Sequence, residues 1–325
     1  MKALASPSAF RRPIAAFLVL AAVLSLPAGE RREALGNPAE GKVIPAEEIF
    51  VLRGSPEKPF RQPTDTAVGL SSRIYVLDGM NGRVVVFGTE GEHLFSFGAP
   101  GSEPGKLHMA VGIGTAPDGR VFVADTGNHR IQVFSPDGGF LHAFSLKTGG
   151  KSDPTDVLPS PFQDFCYVSD NDNHEIQVYD GRSGRLLFSW GKRGTGRGEF
   201  SYPATLAMDA GHHVYVVDVL NARLQSFDSK GKHGWEVATW GVGPSGLFRP
   251  KGVAVDAEGK ILVSDSYMGW VKVFRGNGEF EGVVGNRAGE PRKFTTPASI
   301  ATDNLGRICV VETRASRVSV LRWAP

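Results

Sequence analysis

The chain has 325 residues, 41% of them hydrophobic and 22% charged, with 41 glycines, 21 prolines, two cysteines and a formal net charge of +2. That length and apolar content can fill a large core, which excludes a disordered chain and a disulfide-stapled miniprotein. The near-neutral balance gives no general electrostatic reason to bind nucleic acid.

Lys2, Arg11 and Arg12 precede a 13-residue apolar run, Ile14–Leu26, interrupted only by Ser25. Small residues follow at Pro27-Ala28-Gly29, and then charge. Such a layout predicts a secretory signal peptide over residues 1–29, too short in its apolar part to span a bilayer comfortably. Export to the periplasm or outside is therefore expected, with an uncleaved membrane-tethering anchor as the alternative; Arg11-Arg12 supports twin-arginine export only weakly. Removing the leader takes the formal balance from +2 to −1. Residues 30–47, rich in charge, Gly and Pro, read as a flexible lead-in.

From residue 48 onward the chain repeats itself. An acidic residue closes an apolar run at Asp78, Asp125, Asp170, Asp218, Asp265 and Glu312, at intervals of 47, 45, 48, 47 and 47 residues. One copy shows the unit: apolar runs at Val111–Thr115, Val121–Ala124, Arg130–Phe134 and Phe140–Phe144, separated by Pro117-Asp118-Gly119, Asp125–His129 and Pro136-Asp137-Gly138-Gly139. Runs of that length between turn residues are strands and hairpins. Six copies of four strands predict an all-β, six-bladed propeller over residues 48–325. The last copy lacks a fourth strand after Arg317–Arg322, while Glu48–Leu52 is a strand without a copy. The N-terminal strand should therefore complete the last blade and cover its edge. A ring closed in this way needs no partner for its edges, so a monomer is expected. Cys166 and Cys309 fall in copies on opposite sides of that ring and should be buried free thiols.

The loop Asp125-Thr126-Gly127-Asn128-His129-Arg130-Ile131-Gln132-Val133-Phe134 resembles the NHL repeat, and Asn173-His174-Glu175-Ile176-Gln177-Val178-Tyr179 is similar. Asn81-Gly82-Arg83 and Asn221-Ala222-Arg223 keep Asn and Arg without His; Met268-Gly269-Trp270 and Ala315-Ser316-Arg317 depart further. The resemblance implies a six-bladed β-propeller. It does not imply one function, because NHL propellers include RNA binders, protein binders, sensors and a lyase.

Meander topology puts the second-to-third strand loops and the long links between blades on one face, and tight hairpins on the other. A site is expected on the long-loop face. Asp65, Asp156, Thr205 and Ser299 share one position at the start of the channel-lining strand, where oxygen atoms could coordinate calcium or orient a ligand. His129 and His174, each four residues after an Asp, are candidate zinc ligands, although recurrence of their loop also fits a structural staple. His108 is a further imidazole near the channel. Trp270 replaces the loop's basic residue and is a candidate for lining a binding surface. The segment 191–198 is basic and glycine-rich, but it opens no helix and reads as repeat punctuation.

The function expected is a non-catalytic exported scaffold binding a protein, peptide or glycan, with a metal-dependent enzyme as alternative. The amidating lyases of this fold hold zinc with His after the opening proline of several blades. Here those positions are Thr64, Thr155, Ala204, Lys251 and Ala298. A gluconolactonase-type centre would need an acidic and amide metal set in the channel, toward which Asp65 and Asp156 are the available donors. RNA binding conflicts with the leader and the charge.

Overall fold

The computed structural model describes residues 42–148, 152–238 and 240–325; the expected signal peptide and residues 30–41 lie outside them. Four-stranded antiparallel meanders follow one another around an axis. Blade 1 runs Asp65–Val68, Ile74–Asp78, Arg83–Phe87 and His93–Phe97, and blade 2 runs Gly112–Thr115, Val121–Asp125, Arg130–Phe134 and Phe140–Ser145. Blade 3 spans Pro154–Pro159 to Leu186–Trp190, blade 4 Pro203–Met208 to His233–Val237, and blade 5 Pro250–Val255 to Phe280–Gly285. Blade 6 takes three strands from the C-terminus, Pro297–Thr302, Arg307–Glu312 and Arg317–Trp323. No helix among the described residues is long and apolar enough to cross a membrane.

The second and third strands of each blade are buried almost without alternation, because neighbouring blades cover both faces of the sheet. Six apolar clusters fill the gaps between successive blades. The links add their own plugs: Phe60, Leu107, Phe200, Leu247 and Phe294 stand three residues before the strand-opening position and are all buried. Cys166 and Cys309 are buried free thiols, as expected, and burial pushes the Cys309 thiol up to about 12.

Closure follows the expected route with one extension. The N-terminal strand begins at Lys42 rather than at Glu48, so residues 42–47 of the expected lead-in are strand. Its second half pairs antiparallel with Arg317–Trp323, from Ala46 opposite Trp323 to Leu52 opposite Val318, with a bulge at Ile49. Its first half, Lys42–Pro45, pairs parallel with the outer strand of blade 5, joining blades 5 and 6 in one eight-stranded sheet. Proline in that half obscures the strand in the sequence, and a sheet edge tolerates it. Gly282 makes the approach possible: a Cβ there would be driven into the Lys42 carbonyl.

Gly282→Val is therefore expected to cost about 1–3 kcal/mol in urea unfolding. A variant lacking residues 42–52 should associate through the exposed edges of blades 5 and 6 in light scattering. A stable, monodisperse truncated protein would show that the closure is dispensable.

Candidate functional site

The acidic residue that marks the repeat is wholly buried in every blade. In blade 2, one Asp125 oxygen accepts from the main-chain N–H of His108 at 2.7 Å. The other accepts from Asn128 at 2.8 Å, Arg130 Nε at 2.8 Å and Gln132 at 2.9 Å. The carboxylate thus ties the arriving link, the tight loop and the third strand together. Asp78 repeats this with Arg61, Asn81 and Arg83, and Asp218 with Ser201, Asn221 and Arg223. Glu312 does so with Thr295, Arg317 and Ser319. A buried carboxylate is tolerable because an adjacent guanidinium and several donors satisfy it.

The loop histidines belong to this staple. Gly82, His129, His174, Ala222, Gly269 and Ser316 all occupy its left-handed position, with φ between 50° and 67°. His129 sends Nδ1 toward the Ser152 carbonyl at 2.9 Å and the Asp153 carboxylate at 3.1 Å. His174 accepts the Tyr202 N–H at 3.1 Å through Nδ1, and desolvation with the nearby Arg193 charge lowers its proton affinity. Each imidazole braces its blade against the next link, and neither shares a ligand position with the other. His108 supplies a main-chain donor to Asp125 and leans on Gly127.

At the channel mouth the six equivalent positions are Asp65, Gly112, Asp156, Thr205, Gly252 and Ser299. Asp65 accepts from the N–H of Thr66 at 2.8 Å and, in the next blade, of Ile113 at 2.6 Å; the Ser299 hydroxyl of blade 6 also donates to it. Asp156 accepts from Val157 at 2.8 Å and from Leu206 of blade 4 at 2.7 Å. Thr205 donates to the Lys251 carbonyl of blade 5 at 2.6 Å. A Cβ at Gly112 would come within 2.6 Å of the Asp156 Cα, so glycine is what lets blades 2 and 3 close up there. Burial pushes the Asp65 carboxyl up to about 6; burial, then the Asp65 charge, raises Asp156 well above the carboxylate range. Asp65, Asp156, Thr205 and Ser299 line a cavity of about 180 Å³ together with residues further along the innermost strands, including Val68, Leu158, Met208 and Val255.

The NHL-repeat family matches at residues 107–134 and 249–274, the loops and second and third strands of blades 2 and 5. The chain is a β-propeller that carries NHL repeats in blades 2 and 5. No curated protein matches it in sequence. Among solved structures, a gluconolactonase from Xanthomonas campestris superposes with a TM-score of 0.63 at 14% identity, over 89% of this chain and 93% of that one. A catalytically inactive histidine-to-alanine variant of virginiamycin B lyase from Staphylococcus aureus, with quinupristin, gives 0.60 at 12% identity, over 83% and 84%. Hydrazine synthase from Kuenenia stuttgartiensis gives 0.59 at 10% identity, over 82% and 97%. At such identities the likeness is one of fold.

In this propeller the channel-mouth residues do not fit a zinc or calcium centre. Both carboxylates accept from main-chain amides, the Ser299 hydroxyl donates to Asp65, and the Thr205 hydroxyl donates to the Lys251 carbonyl. Among the described residues, no three His, Cys, Asp or Glu side chains converge to hold an ion. The basic segment 191–198 also spends its amides within the fold, Gly194 on the Phe200 carbonyl, Gly196 on Glu199 and Gly198 on Gln225.

Trp270 is not on the surface; it is 3% exposed. The cause is a relocated cation. Blade 5 moves the staple's positive charge two residues on, to Lys272, whose ammonium lies 4.0 Å from Asp265 and donates to the Gly243 and Gly246 carbonyls. Burial lowers Lys272 to about 8. Trp270 then packs in the vacated place beneath the Lys293 ammonium, 4.1 Å from its ring centre. Blade 3 makes the opposite exchange: Glu175 stands where Arg is usual and pairs with Lys147 of the link at 3.0 Å.

The long-loop face instead exposes apolar side chains that the repeat pattern does not single out. Met80, Leu220 and Tyr267 sit two residues after the staple acid, and Met109 and Tyr202 just before the strand opening. All five are exposed beside the channel mouth. The opposite face is less bare than its tight turns suggest. A cavity of about 230 Å³ opens there between Pro117, Phe162 and Arg182, where Arg120 binds Asp118 and Asp164.

Asp125→Ala should strand Arg130 and three other donors and cost about 3 kcal/mol or more in urea unfolding. A cost under about 1 kcal/mol would demote the staple. A second expectation concerns pH. The folded chain keeps the Asp65 proton up to about pH 6, whereas the unfolded chain releases it near the ordinary 3.8. The unfolded state then binds fewer protons between those values, so this group's contribution falls as pH rises through about 6, by on the order of 3 kcal/mol. Asp65→Asn should gain stability relative to wild type from pH 4 to 7; a loss over that range would reverse the assignment.

Proposed function

We propose that the chain is exported and that the propeller acts as a binding scaffold for a protein, peptide or glycan, through its long-loop face. The observation that carries this reading is the contrast at the channel mouth. The polar side chains there, Asp65, Asp156, Thr205 and Ser299, are engaged in joining blades. The exposed side chains beside them, Met80, Met109, Tyr202, Leu220 and Tyr267, are apolar or aromatic. Apolar groups exposed around one face of a ring offer an interaction surface, and Met and Tyr are enriched in such surfaces. A rigid ring lets such loops bind with little ordering cost.

A photo-crosslinking side chain at Leu220, compared with one at Asn277 in an exposed turn of the opposite face, tests this in the native host. A discrete adduct from position 220, absent from 277, is the expected result. Equal labelling from both positions would defeat the reading. So would lactone hydrolysis by the purified protein that Asp156→Asn abolishes, which would make the channel mouth an enzyme site.

A further inference from the structure

The long-loop face is not chemically uniform. Its blade 3 sector carries acids, Asp153 paired to His129 and the exposed Asp172. Its blade 5 sector carries cations, Arg249, Lys251 and Lys293, against a single carboxylate, Asp265. That carboxylate is already committed to Lys272 and to the main-chain amides of Phe248, Arg249 and Met268. Among the described residues, neither the Arg249 guanidinium nor the Lys251 ammonium has an acidic partner. Burial, with the Arg249 charge beside it, lowers the proton affinity of Lys251. Two neighbouring cations, one partly desolvated, thus lie together without an acidic partner among the described residues. The surrounding framework tolerates this at a cost that an incoming carboxylate would relieve.

An aromatic cluster borders the same cations. The Trp240 and Phe248 rings lie 5.6 Å apart, and the Phe248 and Tyr267 rings 4.7 Å apart. Trp240 is 47% exposed and Tyr267 40%. Successive rings meet at 46° and 45°, so the cluster forms a notch and not a plate. A notch receives a protruding side chain, whereas a sugar ring would need one plane to lie on. Its backbone is fixed, because the Arg249 carbonyl accepts from the Ser266 N–H at 3.0 Å and from its hydroxyl at 3.1 Å. Aromatic and Arg side chains held rigidly together have the composition of protein-binding hot spots, and basic clusters recognise acidic motifs.

We infer that the blade 5 sector is the docking site for an acidic peptide segment: Arg249 and Lys251 meet its carboxylates, and an apolar or aromatic side chain seats between Trp240, Phe248 and Tyr267. The inference rests on the binding reading above and adds the partner's chemistry.

Of the five tryptophans only Trp240 is exposed, which gives a direct signal. The mature protein is titrated with a random glutamate–tyrosine copolymer, exciting tryptophan at its red edge, with polyglutamate and polygalacturonate as companions. The expected result is saturable quenching by the copolymer that weakens with salt. Arg249→Glu with Lys251→Glu should weaken binding by about tenfold or more, and Arg249→Gln with Lys251→Gln should do so less steeply. Trp240→Ala, followed by light scattering, should weaken binding severalfold as well as losing the quench. No binding of the copolymer, binding unaffected by both double variants, or tighter binding of polygalacturonate would overturn the inference. If the Leu220 crosslink persists in the charge-reversed protein, the scaffold reading survives and only the acidic-peptide assignment falls.

Discussion

A carboxylate buried at the end of the second strand, and the cation and amides gathered around it, is the interaction on which the ring depends. Desolvating such a group without partners would cost far more than one blade's share of a protein's stability. Each blade therefore delivers donors to the same point; in blades 1, 2 and 4 they come from three places, the incoming link, the tight loop and the third strand. Satisfying one acid consequently fixes the position of all three. The loop's left-handed residue follows from this geometry, which is why Gly, His, Ala and Ser succeed one another there while the acid changes only from Asp to Glu.

The staple also explains where the sequence departs from its own pattern. The buried acid is kept in every blade, but its partners change: in blade 3, among the described residues, Asp170 accepts from the neutral groups of Asn173 and Gln177. Blade 5 places the cation at Lys272 and fills the vacated position with Trp270; blade 3 inverts the sign at Glu175 and recruits Lys147. Inner-strand carboxylates form a second, smaller network at the axis. Asp65 spans blades 6, 1 and 2, and Asp156 spans blades 3 and 4, so these side chains serve the ring's closure.

Spacing of the acids made the blade count, the meander and the terminal closure legible in the sequence, because each depends on a signal repeated six times. The first half of the closing strand was not legible: Lys42–Pro45 pairs on a sheet edge, where proline and polar residues leave no alternation to read. Trp270 was misplaced for a related reason. A position read against the repeat suggests exposure, but the compensating change lay two residues away. The apolar residues of the long-loop face, from Met80 to Tyr267, lie in loops without periodicity, and their proximity exists only after the ring has closed.

The strand Lys42–Leu52 carries a consequence for how the molecule is made. Its partners, Phe280–Gly285 and Arg317–Trp323, belong to blades 5 and 6 and leave the ribosome long after it. This strand, made before the blades, is therefore among the last to be placed, across a loop that spans almost the whole ring, and such distant pairing forms late. Until then two sheet edges stay open, on blade 5 and blade 6, in a chain whose middle blades can already pack on their neighbours. The interval between the fifth blade's completion and the arrival of the C-terminus is when this protein is most open to pairing with another copy of itself.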